Sequence, residues 1–223
     1  MKSDSLIQND VIEELKWAPQ VNSADIGVSV RDGIVTLTGN VKTYAQKLEA
    51  EKAAICVKGV KAVAEEIKVG ANLSLVKTDK EIAQAVLDAL KWHTSIDENL
   101  IQVTVENGFV ILTGQVNWDY QRRAARSAID HLEGVIGVEN DLTIKPHAMR
   151  TDVREKIIDA FKRSAALDAE LIHVDVFGSR VVLSGSVRNL LEKNSASNAA
   201  WSAPGITIVE NELQVLPEKQ LAY

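Results

Sequence analysis

The stretch Ile26-Gly-Val-Ser-Val-Arg-Asp-Gly-Ile-Val-Thr-Leu-Thr-Gly-Asn-Val41 decides the fold, because the chain repeats its pattern at 101–116 and at 172–187. Apolar and polar residues alternate on both sides of Asp32-Gly33, and this two-residue period is typical of half-buried strands. An Asp-Gly pair supplies the two positive-φ positions of a type I′ turn. The stretch therefore predicts a hairpin with a two-residue loop.

This loop length fixes which residues face each other across the hairpin. The second copy has Asn107-Gly108 at the turn, and the third has Gly178-Ser179, which suits a type II′ turn. The same construction predicts three equivalent sets of partners: Val30 with Val35, Val28 with Leu37 and Ile26 with Gly39; Val105 with Val110, Val103 with Leu112 and Ile101 with Gly114; Val176 with Val181, Val174 with Leu183 and Ile172 with Gly185. A slip of one residue would move every valine to the opposite face, so this agreement strongly supports the hairpins.

A helix is predicted on either side of each hairpin. Before the hairpin, apolar residues recur at helical spacing, and the helix starts are marked by Ser3 or Asp4, by the capping box Thr78-x-x-Glu81, and by Thr151. After the hairpin, an alanine-rich helix carries small residues that let it sit close to a sheet. These alanines recur at two positions in every copy: Ala50, Ala125 and Ala196, then Ala53, Ala128 and Ala199.

A final strand with period two closes each copy. Its apolar row is interrupted by Asn140 in the second copy and Asn211 in the third, whereas the first copy has Glu65. A polar residue in an apolar row favours a bulge, or a side chain bonded to backbone, over a ligand site. We therefore expect these three residues to be structural.

The fold class predicted from this order is α+β, with three tandem α-β-β-α-β units, each a three-stranded mixed sheet with two helices on one face. We place the units at residues 1–72, 76–147 and 148–217. The linker residues Leu73, Leu75 and Val76 are expected to pack between the first two units. Structural roles at turns and helix ends are assigned to nine glycines: Gly33, Gly39, Gly59, Gly108, Gly114, Gly134, Gly178, Gly185 and Gly205.

Composition and charge limit the possible functions. The 223 residues are 46% hydrophobic and 25% charged, which is typical of a globular protein, and the net charge of −6 gives no support to nucleic-acid binding. No stretch is long and apolar enough to cross a bilayer, and the N-terminus does not resemble a signal peptide. We expect a cytoplasmic protein if the sequence is the full gene product, and a periplasmic one if a leader was removed.

The sequence contains no recognisable catalytic constellation. His93, His131, His147 and His173 are scattered, and Cys56 has no second cysteine with which to form a disulfide. We therefore predict no catalytic residue, no metal site and no cofactor, and we do not expect an enzyme.

Tryptophans and arginines outside the apolar stripes are the candidate contact residues. Trp17 and Trp92 occupy equivalent places at the end of the first helix, and Trp201 lies in the last helix. Such aromatic residues anchor proteins at membrane interfaces or at partners, or they seal contacts between units. Trp118 precedes Arg122, Arg123 and Arg126, which either meet lipid phosphates or form a solvated helix face.

The run Val-x-Val-x-Asn-Gly-x-Val-x-Leu-Thr-Gly-x-Val, followed by Gly-Val-x-x-Val-x-Asn-x-Leu-x-Ile, resembles the BON domain, a bacterial family linked to osmotic shock and nodulation. All three units match it, although unit one departs at Glu65 and unit three at Gly178-Ser179. The resemblance implies a non-catalytic module, usually periplasmic or on envelope proteins, that binds phospholipid or tethers proteins at membranes. The leading function is thus a stress- or envelope-associated binding or scaffolding protein; the alternative is a cytoplasmic sensor of an ion such as potassium, or of a small ligand.

Overall fold

A computed structural model describes residues 2–70, 77–146, 152–164 and 168–216 of the chain. Unit 1 contains α1 (Asp4–Trp17), β1 (Ile26–Arg31), β2 (Ile34–Val41), α2 (Tyr44–Cys56) and β3 (Ala62–Val69). Unit 2 contains α3 (Asp79–Trp92), β4 (Ile101–Glu106), β5 (Phe109–Val116), α4 (Asp119–Ile129) and β6 (Gly137–Ile144). Unit 3 contains α5 (Val153–Arg163), β7 (Ile172–Phe177), β8 (Arg180–Val187), α6 (Leu190–Trp201), β9 (Ile208–Asn211) and β10 (Gln214–Val215). The predicted α+β class with three tandem units is confirmed.

Each unit has its own mixed sheet, with the second strand of the hairpin in the centre. The hairpin strands are antiparallel, and the strand after the second helix pairs in parallel with the central strand. Every cross-strand pair predicted from the turns is present. Asp32 and Gly33 both have positive φ values, of 55° and 80°, as a type I′ turn requires.

The last strand of unit 3 is interrupted. β9 and β10 both run parallel to β8, and the break between them falls at Glu212 and Leu213. The Asn211 side chain accepts a hydrogen bond from the backbone N–H of Leu213 at 3.2 Å. The polar residue in the apolar row therefore lies beside the interruption.

Both helices of a unit pack on the same face of its sheet and form a separate core with it. The predicted alanine stripe explains the close approach of the second helix, because the first alanine of each copy is fully buried: Ala50, Ala125 and Ala196. The nine glycines assigned to turns and helix ends all have positive φ values.

The predicted helix caps are present where the chain is described. Ser3 caps α1, and the capping box of Thr78 with Glu81 is complete. Thr43 and Gln46 form a second complete capping box at the start of α2. The predicted cap Thr151, the linker residues Leu73, Leu75 and Val76, and His147 lie outside the described residues. Because the linkers lie there, the unit boundaries at 1–72, 76–147 and 148–217 stay a prediction.

One close approach explains the glycine in the repeated Thr/Ser-Gly-x-Val phrase. A Cβ atom on Gly114 would lie 2.1 Å from the Leu100 carbonyl oxygen, and one on Gly39 would lie 2.0 Å from the Asp25 carbonyl oxygen. No side chain fits at these distances. The glycine therefore lets the chain that enters the first strand pass directly over the second.

Candidate functional site

The tryptophans at the ends of the first helices are almost fully exposed. Trp17 ends α1 with 84% of its surface accessible, and Trp92 ends α3 with 85%. Neither side chain belongs to a core cluster in the described part of the chain. Burying so much aromatic surface is favourable, so each side chain is a candidate contact for a membrane or a partner.

Three further apolar or aromatic side chains are exposed at the end of unit 2 that carries Trp92. Leu100 immediately precedes β4, Trp118 caps α4, and Tyr120 lies in the first turn of α4. They are 44%, 36% and 52% exposed, respectively. Together with Trp92, we call them the aromatic end of unit 2.

Gln121 holds this end together. Its side-chain oxygen accepts hydrogen bonds from the backbone N–H groups of Asn117 and Trp118, at 2.9 and 3.1 Å. Its amide nitrogen donates to the Ser95 carbonyl oxygen at 3.0 Å. The start of α4 is thereby tied to the segment between α3 and β4, so Trp118 and Tyr120 have a fixed position relative to that segment.

The other two units do not repeat this composition. At the positions of Trp92, Leu100, Trp118 and Tyr120, unit 1 has Trp17, Asp25, Thr43 and Ala45, and unit 3 has Arg163, Leu171, Asn189 and Leu191. The tryptophan of the first helix recurs only in unit 1, and the leucine recurs only in unit 3. The aromatic end is therefore a property of unit 2 and not of the repeat.

The arginines that follow Trp118 are largely neutralised within the protein. Asp119 is buried, and its carboxylate accepts a hydrogen bond from Arg122 at 2.5 Å and forms an ion pair with Arg123 at 2.9 Å. Asp119 lies three residues before Arg122 and four before Arg123, which is the spacing at which opposite charges pair on a helix. This pairing leaves Arg122 and Arg123 less available to a lipid phosphate.

Arg126 lies at the contact between units 1 and 2. Its guanidinium donates a hydrogen bond to the Tyr44 hydroxyl of unit 1 at 3.1 Å. It also lies 3.8 Å from Asp130, and burial raises the pKa of that carboxyl while Arg126 partly offsets the effect. Arg126 therefore contributes to the contact between units 1 and 2.

Trp201 lies between units 2 and 3. Its ring packs against the cores of both units, and the Arg122 guanidinium sits 4.3 Å from the ring centroid. This distance is within the range of a cation–π interaction. Of the sequence-predicted candidates, Trp201 thus seals a contact between units, whereas Trp17 and Trp92 remain at the surface.

Each unit contacts the next one along the chain, and unit 3 contacts unit 1. The first residues of α2, α4 and α6 are equivalent positions of the repeat: Tyr44, Asp119 and Leu190. Tyr44 is buried in the core cluster of unit 2, and Leu190 packs against that of unit 1. The start of α4 reaches unit 3 through Arg122 and Trp201. The chain therefore closes on itself.

Asn140 and Asn211 of the final strands take the structural role that we expected. Asn140 donates to the Arg122 carbonyl oxygen at 2.7 Å and accepts from the backbone N–H of Leu142 at 3.3 Å. Asn211 makes the equivalent pair of hydrogen bonds, with the Lys193 carbonyl at 2.9 Å and with Leu213. The side chain therefore bridges the second helix to the final strand.

Glu65 takes the same position in unit 1 and lines a cleft of about 790 Å³ between units 1 and 2. One of its oxygens lies 3.5 Å from the Lys47 ammonium, and the other is buried and has no hydrogen-bond partner within the described part of the chain. Burial raises the pKa of Glu65, and Lys47 opposes the shift. A deprotonated carboxyl cannot donate a hydrogen bond to a carbonyl of the second helix. Glu65 therefore cannot make the bridge that Asn140 and Asn211 make in the other two units.

Within the four described ranges, no group of three or more histidine, cysteine, aspartate or glutamate side chains is arranged to hold a metal ion. No helix in those ranges is long and apolar enough to cross a membrane.

Comparison with known proteins identifies the family. The chain is 32% identical over 146 residues to osmotically-inducible protein Y of Escherichia coli (strain K12), and the match covers 64% of this chain and 73% of that protein. A solved structure of the C-terminal domain of CdsD, a structural protein of the type III secretion system of Chlamydia trachomatis, covers 97% of this chain and 100% of its own. It is 16% identical, with a TM-score of 0.27. The family model of the BON domain matches residues 3–71, 78–146 and 150–217. The chain therefore belongs to the BON domain family and carries three tandem copies of the domain.

Proposed function

We propose that the protein is a non-catalytic binding protein that attaches to phospholipid surfaces through the aromatic end of unit 2. The observation that carries this proposal is the exposure of Trp92, Leu100, Trp118 and Tyr120 at one end of one unit. Tryptophan and tyrosine favour the boundary between lipid headgroups and acyl chains, where the ring is buried and its polar group stays hydrated. Similarity to an osmotically inducible protein supports a role under osmotic stress.

The charges near this surface favour apolar insertion over electrostatic attraction. Arg122 and Arg123 are paired with Asp119, and the net charge of the chain is −6. A surface bound mainly through ion pairs loses affinity steeply as salt screens the charges, whereas apolar insertion does not. Binding by the aromatic end should therefore persist at high salt.

The test is co-sedimentation with vesicles of phosphatidylcholine and phosphatidylglycerol, at low and at high salt. The unaltered protein should sediment with the vesicles at both concentrations. The double variant W92A/Y120A should remain in solution, because it loses most of the exposed aromatic surface of unit 2.

The matched control is Trp17→Ala, which removes an equally exposed tryptophan from the equivalent position of unit 1. This variant should bind vesicles like the unaltered protein, and circular dichroism should show that both variants are folded. The proposal fails if the unaltered protein does not sediment with vesicles, or if W17A loses as much binding as W92A/Y120A.

A further inference from the structure

In units 1 and 3, a side chain from the first helix closes the outer edge of the sheet. The Gln8 amide on α1 donates a hydrogen bond to the Val28 carbonyl oxygen of β1 at 2.7 Å. The Arg154 guanidinium on α5 does the same to the Val174 carbonyl of β7 at 2.8 Å. Both strands are edge strands, so their outward carbonyls have no neighbouring strand to bond.

No such hydrogen bond is present among the described residues of unit 2. The residue at the position of Gln8 and Arg154 is Ala83 on α3, and a methyl group has no hydrogen to donate. The register of the β4–β5 hairpin is the same as in the other units, so the Val103 carbonyl points outward as the Val28 carbonyl does. Hydrogen-bonded and outward-pointing residues alternate along an antiparallel edge, so Ile101 and Val105 also direct their backbone groups outward.

An apolar helix surface borders this edge. Leu87 lies one helical turn after Ala83 and is 45% exposed, whereas its equivalents Ile12 and Ile158 are more deeply covered. We call β4, with Ala83 and Leu87, the open edge of unit 2. It combines unpaired strand groups with an apolar wall, which are the two components of a site for strand addition.

We propose that the open edge of unit 2 binds an extended peptide segment of a partner protein, which adds to the sheet as a fourth strand beside β4. The backbone of the peptide pairs with the outward groups of Ile101, Val103 and Val105. Alternate side chains of the peptide point toward Ala83 and Leu87, so these should be apolar. The peptide takes the place that Gln8 and Arg154 fill in the other two units.

The space beside β4 suits a single strand better than a second copy of the protein. The first helix lies so close to the edge that a glutamine side chain spans the gap in unit 1. Antiparallel pairing of two β4 strands would bring both α3 helices to the same face, on either side of one two-fold axis. A second copy would therefore need room for two packed α3 helices, whose axes lie about 8–10 Å apart, as well as for its strand. A single peptide strand needs only the spacing of about 4.8 Å from β4.

Charge at the edge favours a peptide without a strong net charge. Lys80 lies three residues before Ala83, and Lys91 lies four residues after Leu87, so both exposed lysines flank the apolar wall on α3. Glu106 ends β4 and is exposed, and the side chains of Gln102 and Thr104 are neutral. A strongly basic or strongly acidic peptide would therefore meet a like charge at this edge.

The experiment grafts the closure of unit 1 onto unit 2. A displayed library of random peptides, long enough to cover β4, is selected in parallel on the unaltered protein and on the variants Ala83→Gln and Ala85→Gln. Ala85→Gln is the matched control, because it introduces the same side chain on the same helix, two residues away. Circular dichroism and urea unfolding establish that each variant is folded.

The unaltered protein and A85Q should enrich peptides with alternating apolar residues and without a strong net charge. A83Q should fail to enrich this pattern, and its affinity for a peptide selected on the unaltered protein should fall by about tenfold or more in fluorescence anisotropy. The proposal is overturned if the unaltered protein enriches no alternating pattern, or if A83Q binds the selected peptide as tightly as A85Q.

The reverse substitution gives an independent test that does not require a change in unit 2. Gln8→Ala removes the closure of unit 1 and should create a second binding site, so the peptide stoichiometry measured by calorimetry should rise from one to two. An unchanged stoichiometry would mean that the side chain on the first helix does not control access to the edge.

Discussion

The Asp79 carboxylate accepts a hydrogen bond from the backbone N–H of Gly108 at 2.9 Å, although the two residues lie 29 positions apart. Its second oxygen accepts from the N–H of Asn107 at 2.8 Å. Asp4 binds Asp32 and Gly33 in the same way in unit 1. The first helix therefore holds the tip of the hairpin in these two units.

Asp79→Ala should lower the free energy of unfolding by about 1–2 kcal/mol, because two hydrogen bonds to a charged acceptor are lost and the hairpin tip is released. Urea unfolding monitored by circular dichroism measures the loss. Asp88→Ala is the control, since Asp88 is an exposed acid on the same helix that binds only a neighbouring glutamine in the described structure. Equal effects of the two substitutions would contradict the proposed role of Asp79.

Gly114→Ala should cost about 3 kcal/mol or more, because its Cβ would lie 2.1 Å from the Leu100 carbonyl oxygen and its φ of 132° strains any other residue. Gly178→Ala is the comparison, since a Cβ there meets nothing within 4 Å. It should cost only about 1–2 kcal/mol, from backbone strain alone. Thermal and urea unfolding of both variants check the difference, and a reversed order would rule out the steric explanation.

Glu65→Asn should stabilise the protein by about 1 kcal/mol at neutral pH, because asparagine restores the bridge that Asn140 and Asn211 make in the other units. The pH dependence has a defined sign. Since burial raises the folded-state pKa of Glu65 above its ordinary value of 4.5, the folded protein binds this proton more tightly than the unfolded chain does. Stability of the unaltered protein therefore falls as pH rises through that folded-state pKa.

The advantage of E65N should accordingly be small below pH 4.5 and should grow toward neutral pH. Urea unfolding at several pH values measures this difference. Glu66→Asn, at the adjacent exposed position, is the control and should show no such growth. An advantage that stays constant with pH would indicate that the charge of Glu65 is not responsible.

Trp201→Ala should lower stability by about 2–3 kcal/mol, because it removes ring packing against two cores and the contact with Arg122. Trp17→Ala should change stability by less than about 0.5 kcal/mol, since that ring is exposed. Small-angle X-ray scattering should also show a larger radius of gyration for W201A, as unit 3 loosens from unit 2. An unchanged radius would mean that other contacts hold the units together.

The hairpins were predictable in detail because register depends on local information. A two-residue turn and alternating valines leave one pairing that buries the apolar face, and all three hairpins adopt it. The structural role of Asn140 was predictable for a similar reason, since an unsatisfied amide in an apolar row is costly.

Contacts across long distances in the chain were not predictable from periodicity. Asp4 and Asp79 look like ordinary first-turn acids, which the helix dipole favours in any case. Comparison of the three copies does indicate the contact. The aspartate occurs in the two units with an Asp-Gly or Asn-Gly turn, whereas unit 3 has Arg150 at this position and Gly178-Ser179 at its turn. The ion pairs of Asp119 with Arg122 and Arg123 were likewise visible as helical spacing, but burial of Asp119 was not.

The three contacts between units use three different chemistries at the starts of equivalent helices: the phenol of Tyr44, the Arg122 guanidinium that pairs with Asp119, and the aliphatic side chain of Leu190. Each helix start is therefore matched to one neighbour only. A cyclic shift in the order of the domains would preserve every match, whereas exchanging any two of them would break all three. The order of the three copies along the chain therefore determines whether the units can pack against one another.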